Sequence, residues 1–177
     1  AINGEFDLSE APAKILEDMH MSCAGQPTYV SGMHGIVVGA YYGPASEDLF
    51  DHQLQGDTDL LPEPPASDRI NTVVGTFIDG ETFQKMDFPA VKVAQWVEED
   101  GGQELTEDLD FRFVTSPWQA QRLANILLRQ RRTSRTITCS VNLSGWQYRP
   151  GSYLRLYIPA LGINGVEFRV VDWSFDL

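Results

Sequence analysis

Two histidines and a cysteine in the first part of the chain are the residues closest in type to a metal site. His20 and Cys23 are separated by two residues, and His34 follows further along. A structural zinc site needs four ligands, commonly supplied as two pairs of Cys or His at short spacing. The chain offers no second pair, so the spacing fits no familiar zinc site. We therefore predict no metal and no cofactor.

Acidic residues and the third histidine are the other candidates for chemistry. Asp51 and His52 are neighbours, but neighbours on a chain cannot complete a catalytic triad without a preformed pocket. Glu98–Asp100 is typical of a solvated turn, and Asp57 with Asp59 would hold calcium only if further oxygens converged on them. No glycine-rich phosphate loop stands between a strand and a helix. The sequence predicts no catalytic residues and assigns no binding residues.

Tryptophans and clustered arginines are the remaining side chains that commonly contact ligands. The tryptophans form no regular stripe, which favours anchoring in a core or interface over sugar stacking. The arginines lie at the predicted end of a helix, where cations suit the helix dipole, and phosphate contact is the alternative. These residues are Trp96, Trp118, Trp146 and Trp173, and Arg129, Arg131, Arg132 and Arg135.

Composition excludes several classes of protein. The 177 residues are 42% hydrophobic and carry a formal charge of −12. A chain of this length can bury a sizeable core, so global disorder is excluded, and no apolar run approaches the roughly 20 residues of a membrane span. The acidic balance argues against specific nucleic-acid binding, which needs a concentrated basic surface. Acids concentrate in residues 47–110 and bases in 111–177, which indicates either a solvated acidic region before a basic helix end or opposite faces that meet.

The two cysteines indicate the compartment in which the protein is assembled. Cys23 and Cys139 could form a disulfide if the fold brings them together, but two buried free thiols in a protein assembled in the cytosol are favoured.

The chain begins at Ala1 with neither an initiator Met nor a signal sequence, so we expect it to be a piece of a longer protein.

The first third of the chain predicts a small helix-and-hairpin module. Ser9 is a suitable N-cap, apolar residues follow at helical spacing, and Gly25 is a suitable stop. Residues 27–30 and 36–42 predict a hairpin. Residues 43–67 are rich in Pro, Asp, Glu and Gly, which is typical of a linker.

The remainder predicts a strand-rich domain with one helix. The helix spans 117–131, with Ser116 and Pro117 at its start and an apolar face that includes Leu123 and Leu127. Strands are expected at 70–78, 91–97, 111–114, 137–143, 154–158 and 166–175, with a type II turn at 149–152 and a tight turn at Asn164 and Gly165. A bulge or a sheet-switching corner is expected near Val170 and Val171.

These elements define the predicted fold class. It is α+β and β-rich, with a helix-and-hairpin module and acidic linker at residues 1–65, followed by an antiparallel barrel-like domain at residues 66–177.

A resemblance extends over most of the chain. Residues 113–132, with the run Ala120-Gln121-Arg122-Leu123-Ala124, look like the helix of the host-specificity J family of phage tail tip attachment proteins. The Thr-rich strand at 136–139, the Pro150-Gly151 turn and the closing segment 168–173 are similar to that family, as are the earlier segments 39–44 and 68–73. The resemblance implies a trimeric tail hub that closes the tail tube, contacts other tail proteins and carries host-recognition parts. It implies no catalytic residues.

We therefore predict a structural component of a phage or prophage tail tip or baseplate hub, assembled in the host cytoplasm and located in the virion tail. Its predicted partners are two further copies, other tail proteins and, indirectly, the host surface. A virion-associated cell-wall hydrolase or a carbohydrate-binding module is the alternative. Neither has a motif in its favour.

Overall fold

The computed structural model describes residues 2–30, 32–41, 43–63, 65, 68–132 and 135–175. Its class is α+β and strand-rich, as predicted. The helices of the described residues are α1 (Pro12–Met21), α2 (Ala94–Glu99) and α3 (Pro117–Arg132). The strands are β1 (Gln26–Val30), β2 (Met33–Val37), β3 (Glu47–Phe50), β4 (Leu54–Leu61), β5 (Thr72–Ile78), β6 (Lys85–Asp87), β7 (Val91–Lys92), β8 (Thr106–Phe111), β9 (Thr136–Val141), β10 (Tyr153–Ile158) and β11 (Ile163–Arg169).

The chain divides into two compact units, each built from two segments. The first unit comprises residues 1–40 and 64–134, and the second comprises residues 41–63 and 135–177. The predicted division into a module with an acidic linker at 1–65 and a barrel-like domain at 66–177 stays a prediction.

The sheet of the first unit is centred on β5. β6 and β7 pair with β5 in antiparallel orientation. β8 pairs with β5 in parallel orientation, along the whole length of β8. α3 packs over β5 through the apolar face that the sequence predicts. Its first hydrogen bond runs from Ala120 N to Ser116 O, which places the start of the helix as predicted. The core consists of Ala24, Val73, Phe77, Phe88, Leu109, Phe111, Val114, Ala120, Leu123, Ala124, Leu127 and Leu128.

The predicted first helix and hairpin are both present, with different ends. Ala11 is the N-cap of α1 instead of Ser9, because Pro12 suits the first helical position with its fixed φ and missing donor. The left-handed residue after α1 is Ala24, with φ +49°, and Gly25 does not serve as the stop. The hairpin is antiparallel, and its second strand begins at Met33, before the predicted residue 36, because Met33 pairs with Val30.

Two strands predicted in the first unit are wrong in extent or type. The segment 91–97 is a strand only at β7 and then becomes α2. Its half-buried apolar residues Val91, Val93 and Trp96 change from a spacing of two to a spacing of three. The strand predicted at 111–114 ends at Phe111, where β8 turns. Acidic residues on the exposed face of β8 conceal its alternation.

The second unit contains two small sheets. One has the order β11-β10-β3, with β3 parallel to β10, and the other pairs β4 with β9 antiparallel. The core consists of Leu49, Tyr148, Leu154, Leu156, Ile158 and Ile163. The described strands of this unit close into no barrel, so the barrel-like description is a loose one.

The linker prediction for 43–67 is wrong over most of that segment, because it contains β3 and β4. Acidic side chains such as Asp57 and Asp59 lie on the exposed face of β4, while Leu60 packs against the core. The pairing with β9 is also irregular around Gly56, which has φ +75°. An irregular strand with an acidic outer face resembles a loop in sequence.

The C-terminal strands β9 and β10 have the predicted alternation, and the turn at 149–152 has the predicted type. Ser152 N donates to Arg149 O, and Gly151 has φ +92°. The tight turn predicted at Asn164 and Gly165 is wrong, because these residues lie within β11 and the chain turns at Pro159–Leu161. The bulge or sheet-switching corner predicted near Val170 and Val171 is also wrong, because β11 ends at Arg169. The bulge lies at Gly165, which has no partner opposite Leu156 and Tyr157.

Candidate interaction surfaces

The residues that the sequence offers for metal binding are separated in the structure. His20 lies in α1, Cys23 lies in the turn that follows, and His34 lies in β2. The Cys23 thiol donates to His20 O over 3.2 Å. Across the described part of the chain, no three His, Cys, Asp or Glu side chains converge as a metal site would require.

Both cysteines are free thiols and are half-buried. Cys23 belongs to the first unit and Cys139 to the second. Burial raises the pKa of the Cys139 thiol, because a thiolate is poorly solvated there. The structure therefore contains the unpaired thiols that the sequence favours.

Asp51 and His52 belong to a short 3₁₀ turn between β3 and β4. The His52 ring stacks on the Phe50 ring with centroids 5.7 Å apart, and Phe50 stacks on Tyr157 at 5.0 Å. His52 is thus part of an exposed aromatic stack. Local sequence patterns could not predict this stack, because β3 and β10 are far apart along the chain.

Asp100 and Arg132 form the most buried ion pair described in the first unit, with side chains only 8% and 10% exposed. The two guanidinium nitrogens of Arg132 donate to the two carboxylate oxygens over 2.9 and 3.0 Å. Asn71 donates to the same carboxylate over 2.8 Å. These hydrogen bonds lower the pKa of Asp100. The one from Arg132 has the largest effect, and the one from Asn71 has the next largest. This cluster fixes the end of α3 to the turn after α2.

Two other arginines of the cluster that the sequence identified, Arg129 and Arg131, also have partners. Arg131 pairs with Glu107 of β8, and Arg129 donates to Asn125 one turn earlier in α3 over 2.9 Å. The basic end of α3 therefore neutralises acidic residues of its own unit. These contacts favour the capping and packing role over phosphate binding.

Arg112, which sequence analysis did not single out, fastens the N-terminal segment to the first unit. It donates to the carboxylate of Glu10, at 2.8 Å for one bond, and to Glu5 O over 3.1 Å. Asn3 N also donates to Phe113 O. The Arg112 hydrogen bond lowers the pKa of Glu10 to about 2.

Exposed apolar side chains occur at several places, two of which are the β1–β2 hairpin and the segment around Leu143 and Trp146. In the β1–β2 hairpin, Tyr29 and Met33 are 66% and 70% exposed, and Ile36 is also exposed. In the second unit, Leu143 and Trp146 are 79% and 56% exposed. Tyr29 and Ile36 lie on one face of the β1–β2 ribbon and Met33 lies on the other, because Tyr29 pairs with His34, Pro27 with Ile36 and Val30 with Met33.

The two other tryptophans differ in burial. Trp96 packs against the core of the first unit and lies under the Arg132 guanidinium at 5.7 Å, whereas Trp118 at the start of α3 is strongly exposed.

No helix of the described residues is both long and apolar enough to cross a bilayer.

The fold is similar to that of phage tail proteins. The tail protein from Neisseria meningitidis MC58 superposes with a TM-score of 0.57 at 17% identity, covering 93% of this chain and 49% of that one. The 43 kDa tail protein of prophage MuSo2 from Shewanella oneidensis superposes with a TM-score of 0.54 at 13% identity, covering 93% and 48%. The chain thus spans about half the length of these proteins. No curated protein sequence matches it.

Sequence comparison identifies the family. The model of a phage tail protein family matches residues 62–173, which is more than half of the chain. The chain belongs to this phage tail protein family, and it is a component of the virion tail.

Proposed function

We propose that the chain is a structural part of the tail tip or baseplate hub of a phage or prophage, where it closes the tail tube and supports host attachment. It acts as a trimer, contacts other tail proteins and reaches the host surface only indirectly. It assembles in the host cytoplasm before it enters the tail. The family match over residues 62–173 carries this proposal, because it covers α3, the whole sheet centred on β5, and the strands β9, β10 and β11.

Charge supports the proposal. Residues of both units are acidic in balance, with net charges of −7 and −5 for the two units. A hub through which DNA passes must not bind it, and an acidic lumen repels phosphate. Binding of a specific nucleic-acid sequence is not part of this function.

The proposed role is non-catalytic. Three charged residues that sequence analysis examined for chemistry instead fasten elements of the fold together: Asp100 pairs with Arg132, and Arg131 pairs with Glu107. Such pairs are typical of structural ion pairs within a unit. A zymogram on peptidoglycan tests this directly, and we expect no clearing. A cleared band at the mass of the chain would contradict the non-catalytic role.

Labelling of intact particles tests the location. A short epitope tag is added before Ala1 in the phage that encodes the chain, and gold-labelled antibody is applied to the particles. We expect gold at the distal end of the tail. An identical tag on the tail tube protein provides the control. Gold along the tube or at the head would contradict a tail tip location.

A further inference from the structure

We propose that Phe83 and an acidic face beside it dock a basic surface of another tail protein. The acidic face consists of Asp87, Asp108 and Asp110, on the side of the β5 sheet that points away from α3. The inference rests on the proposed function, which requires contacts with other tail proteins. It identifies where one such contact lies and which charge the partner carries there.

Phe83 lies between β5 and β6 in a backbone conformation that suits glycine or asparagine. Its φ is +57°, in the left-handed region, and its side chain is 73% exposed. The turn is held without the ring, because Phe83 N donates to Asp79 O and Thr82 N donates to the Asp79 carboxylate, both over 2.9 Å. A large apolar side chain thus stands where neither the backbone nor the core favours it, which indicates a role outside the chain.

The acidic face carries more carboxylates than its own unit neutralises. Asp87 of β6 and Asp110 of β8 both lie opposite Thr76 of β5. Asp108 lies two residues before Asp110, on the same face of the sheet. Lys85 pairs with Asp110 over 2.8 Å. Three carboxylates against this one ammonium leave a charge of −2, and all four side chains are exposed.

These charges lie close together and next to the exposed ring. All three carboxylates raise the pKa of Lys85, and its hydrogen bond with Asp110 has the largest effect. Like charges on neighbouring positions of a sheet destabilise it, so cations of a partner would remove this repulsion. Phe83 lies two residues before Lys85 and therefore places an apolar anchor at the end of the acidic face.

Charge favours a basic protein surface over the other occupants. The first unit has a net charge of −7, which repels nucleic acid and anionic membranes. A second copy would bring further negative charge, because both units are acidic. Among the residues that the structure describes, no group of carboxylates could hold a metal ion. An aromatic anchor beside charged residues is typical of protein interfaces.

Substitutions at Phe83 test the anchor in intact particles of the phage that encodes the chain. Immunoblots of purified particles give the ratio of the chain to the tail tube protein. Phe83→Gly relieves the backbone strain, so the purified chain should melt at or above the wild-type temperature, whereas its ratio in particles should fall at least about 10-fold. Phe83→Tyr retains the ring and should retain the ratio.

Tyr29→Ala is the matched control for loss of an exposed ring, since Tyr29 is 66% exposed in the same unit. We expect particles with this variant to contain the chain at the wild-type ratio. A wild-type ratio for Phe83→Gly would overturn the inference. An equal loss for Tyr29→Ala and Phe83→Gly would also overturn it, because any exposed ring would then matter.

Charge reversal tests the acidic face in the same particles. Asp108→Lys brings the charge of the face from −2 to zero. Asp59→Lys makes the same change on the exposed side of β4 in the second unit. Incorporation of Asp108→Lys should fall at least about 10-fold, and that of Asp59→Lys should stay at the wild-type ratio. Thermal melting of the purified chains verifies folding. Equal incorporation of the two variants would exclude the acidic face.

A photoreactive benzoylphenylalanine in place of Phe83 identifies the occupant within particles. We expect a cross-link to another tail protein, at a segment with an excess of Lys and Arg. A cross-link to a second copy of the chain, to lipid or to no molecule would overturn the inference. Gold labelling judges the tail tip separately, so a cross-link to a basic tail protein with gold along the tube would refute the tip location and leave this contact standing.

Discussion

Among the described residues of the first unit, Asn71 has the buried side chain with the most hydrogen bonds. Its amide nitrogen donates to Asp100 and to Gln103 O, both over 2.8 Å, while its oxygen accepts from Leu105 N and the Thr72 hydroxyl. The residue is completely buried. Sequence analysis could not identify it, because its partners lie about 30 residues away and an isolated Asn is an ordinary turn residue.

Replacing Asn71 by Ala should destabilise the chain by about 2–4 kcal/mol, because several buried polar groups lose their partners. Urea unfolding at pH 7 measures this change. Asn125→Ala is the matched control, since Asn125 lies on the exposed side of α3 and should cost less than about 0.5 kcal/mol. Equal losses for the two variants would contradict a structural role for the Asn71 network.

The stability that Glu10 contributes through its contact with Arg112 depends on pH. Its pKa is lowered from an ordinary value of 4.5 to about 2 by Arg112. A carboxyl group whose pKa is lower in the folded state stabilises the fold above its unfolded pKa, and this contribution disappears as the pH falls towards 2. We expect wild type to melt at a higher temperature than Glu10→Gln at pH 7, and the difference to shrink between pH 4.5 and pH 2.

A double-mutant cycle with Arg112→Gln supplies the control for this prediction. Both substitutions break the pair of Glu10 with Arg112, so at pH 7 the double variant should lose less stability than the sum of the losses in the two single variants. A melting difference between wild type and Glu10→Gln that is the same at pH 7 and pH 2.5 would show that the pair contributes nothing.

The parallel pairing of β5 with β8 depends on one glycine. Gly75 pairs with Leu109 in this ladder. A Cβ on Gly75 would lie 1.9 Å from the Leu109 carbonyl oxygen, and its φ of +155° is unfavourable for other residues. The close approach of two backbones, with no space for any side chain, explains the glycine in the middle of a buried strand.

Gly75→Ala should therefore cost about 3 kcal/mol or more, because the backbone of β8 must move. Gly102→Ala separates this steric effect from conformational strain. Gly102 has φ +81°, but nothing lies within 4 Å of an added Cβ, so its substitution should cost only about 1–2 kcal/mol. Urea denaturation of both variants provides the comparison, and equal costs would show that the contact with Leu109 is unimportant.

The elements with regular apolar spacing were those that the sequence could predict. The apolar face of α3 and the alternation of β9 and β10 are local patterns, and each was located to within a few residues. β3 and β4 were missed for the opposite reason. Their partners, β10 and β9, lie about 80 to 100 residues away, and their acidic residues indicate a loop. Pairing between such distant segments is not encoded in local spacing.

The candidate surfaces were predicted only in part, for a similar reason. The hairpin is visible in the sequence as two short strands around a glycine turn. Its exposure depends on whether another element covers it, which local sequence does not specify. The absence of charge between residues 24 and 46 was the available signal, because an uncharged segment on an acidic protein is unusual unless it is buried or docked.

In the folded molecule, acidic and basic residues are not separated as they are along the sequence. The acidic segment 47–110 and the basic segment 111–177 do not form opposite halves. Residues of both occur in each compact unit, where pairs such as Arg131 with Glu107 neutralise part of the charge. The remaining negative charge on both units suits a tail component that DNA passes without binding.

Cryo-electron microscopy of intact tails, reconstructed without imposed symmetry, tests the central claim most directly. The account predicts three copies of this fold in a ring at the distal end of the tail, across the tube axis. A single copy or a repeating arrangement along the tube wall would contradict a hub role, even though membership of the tail protein family would stand.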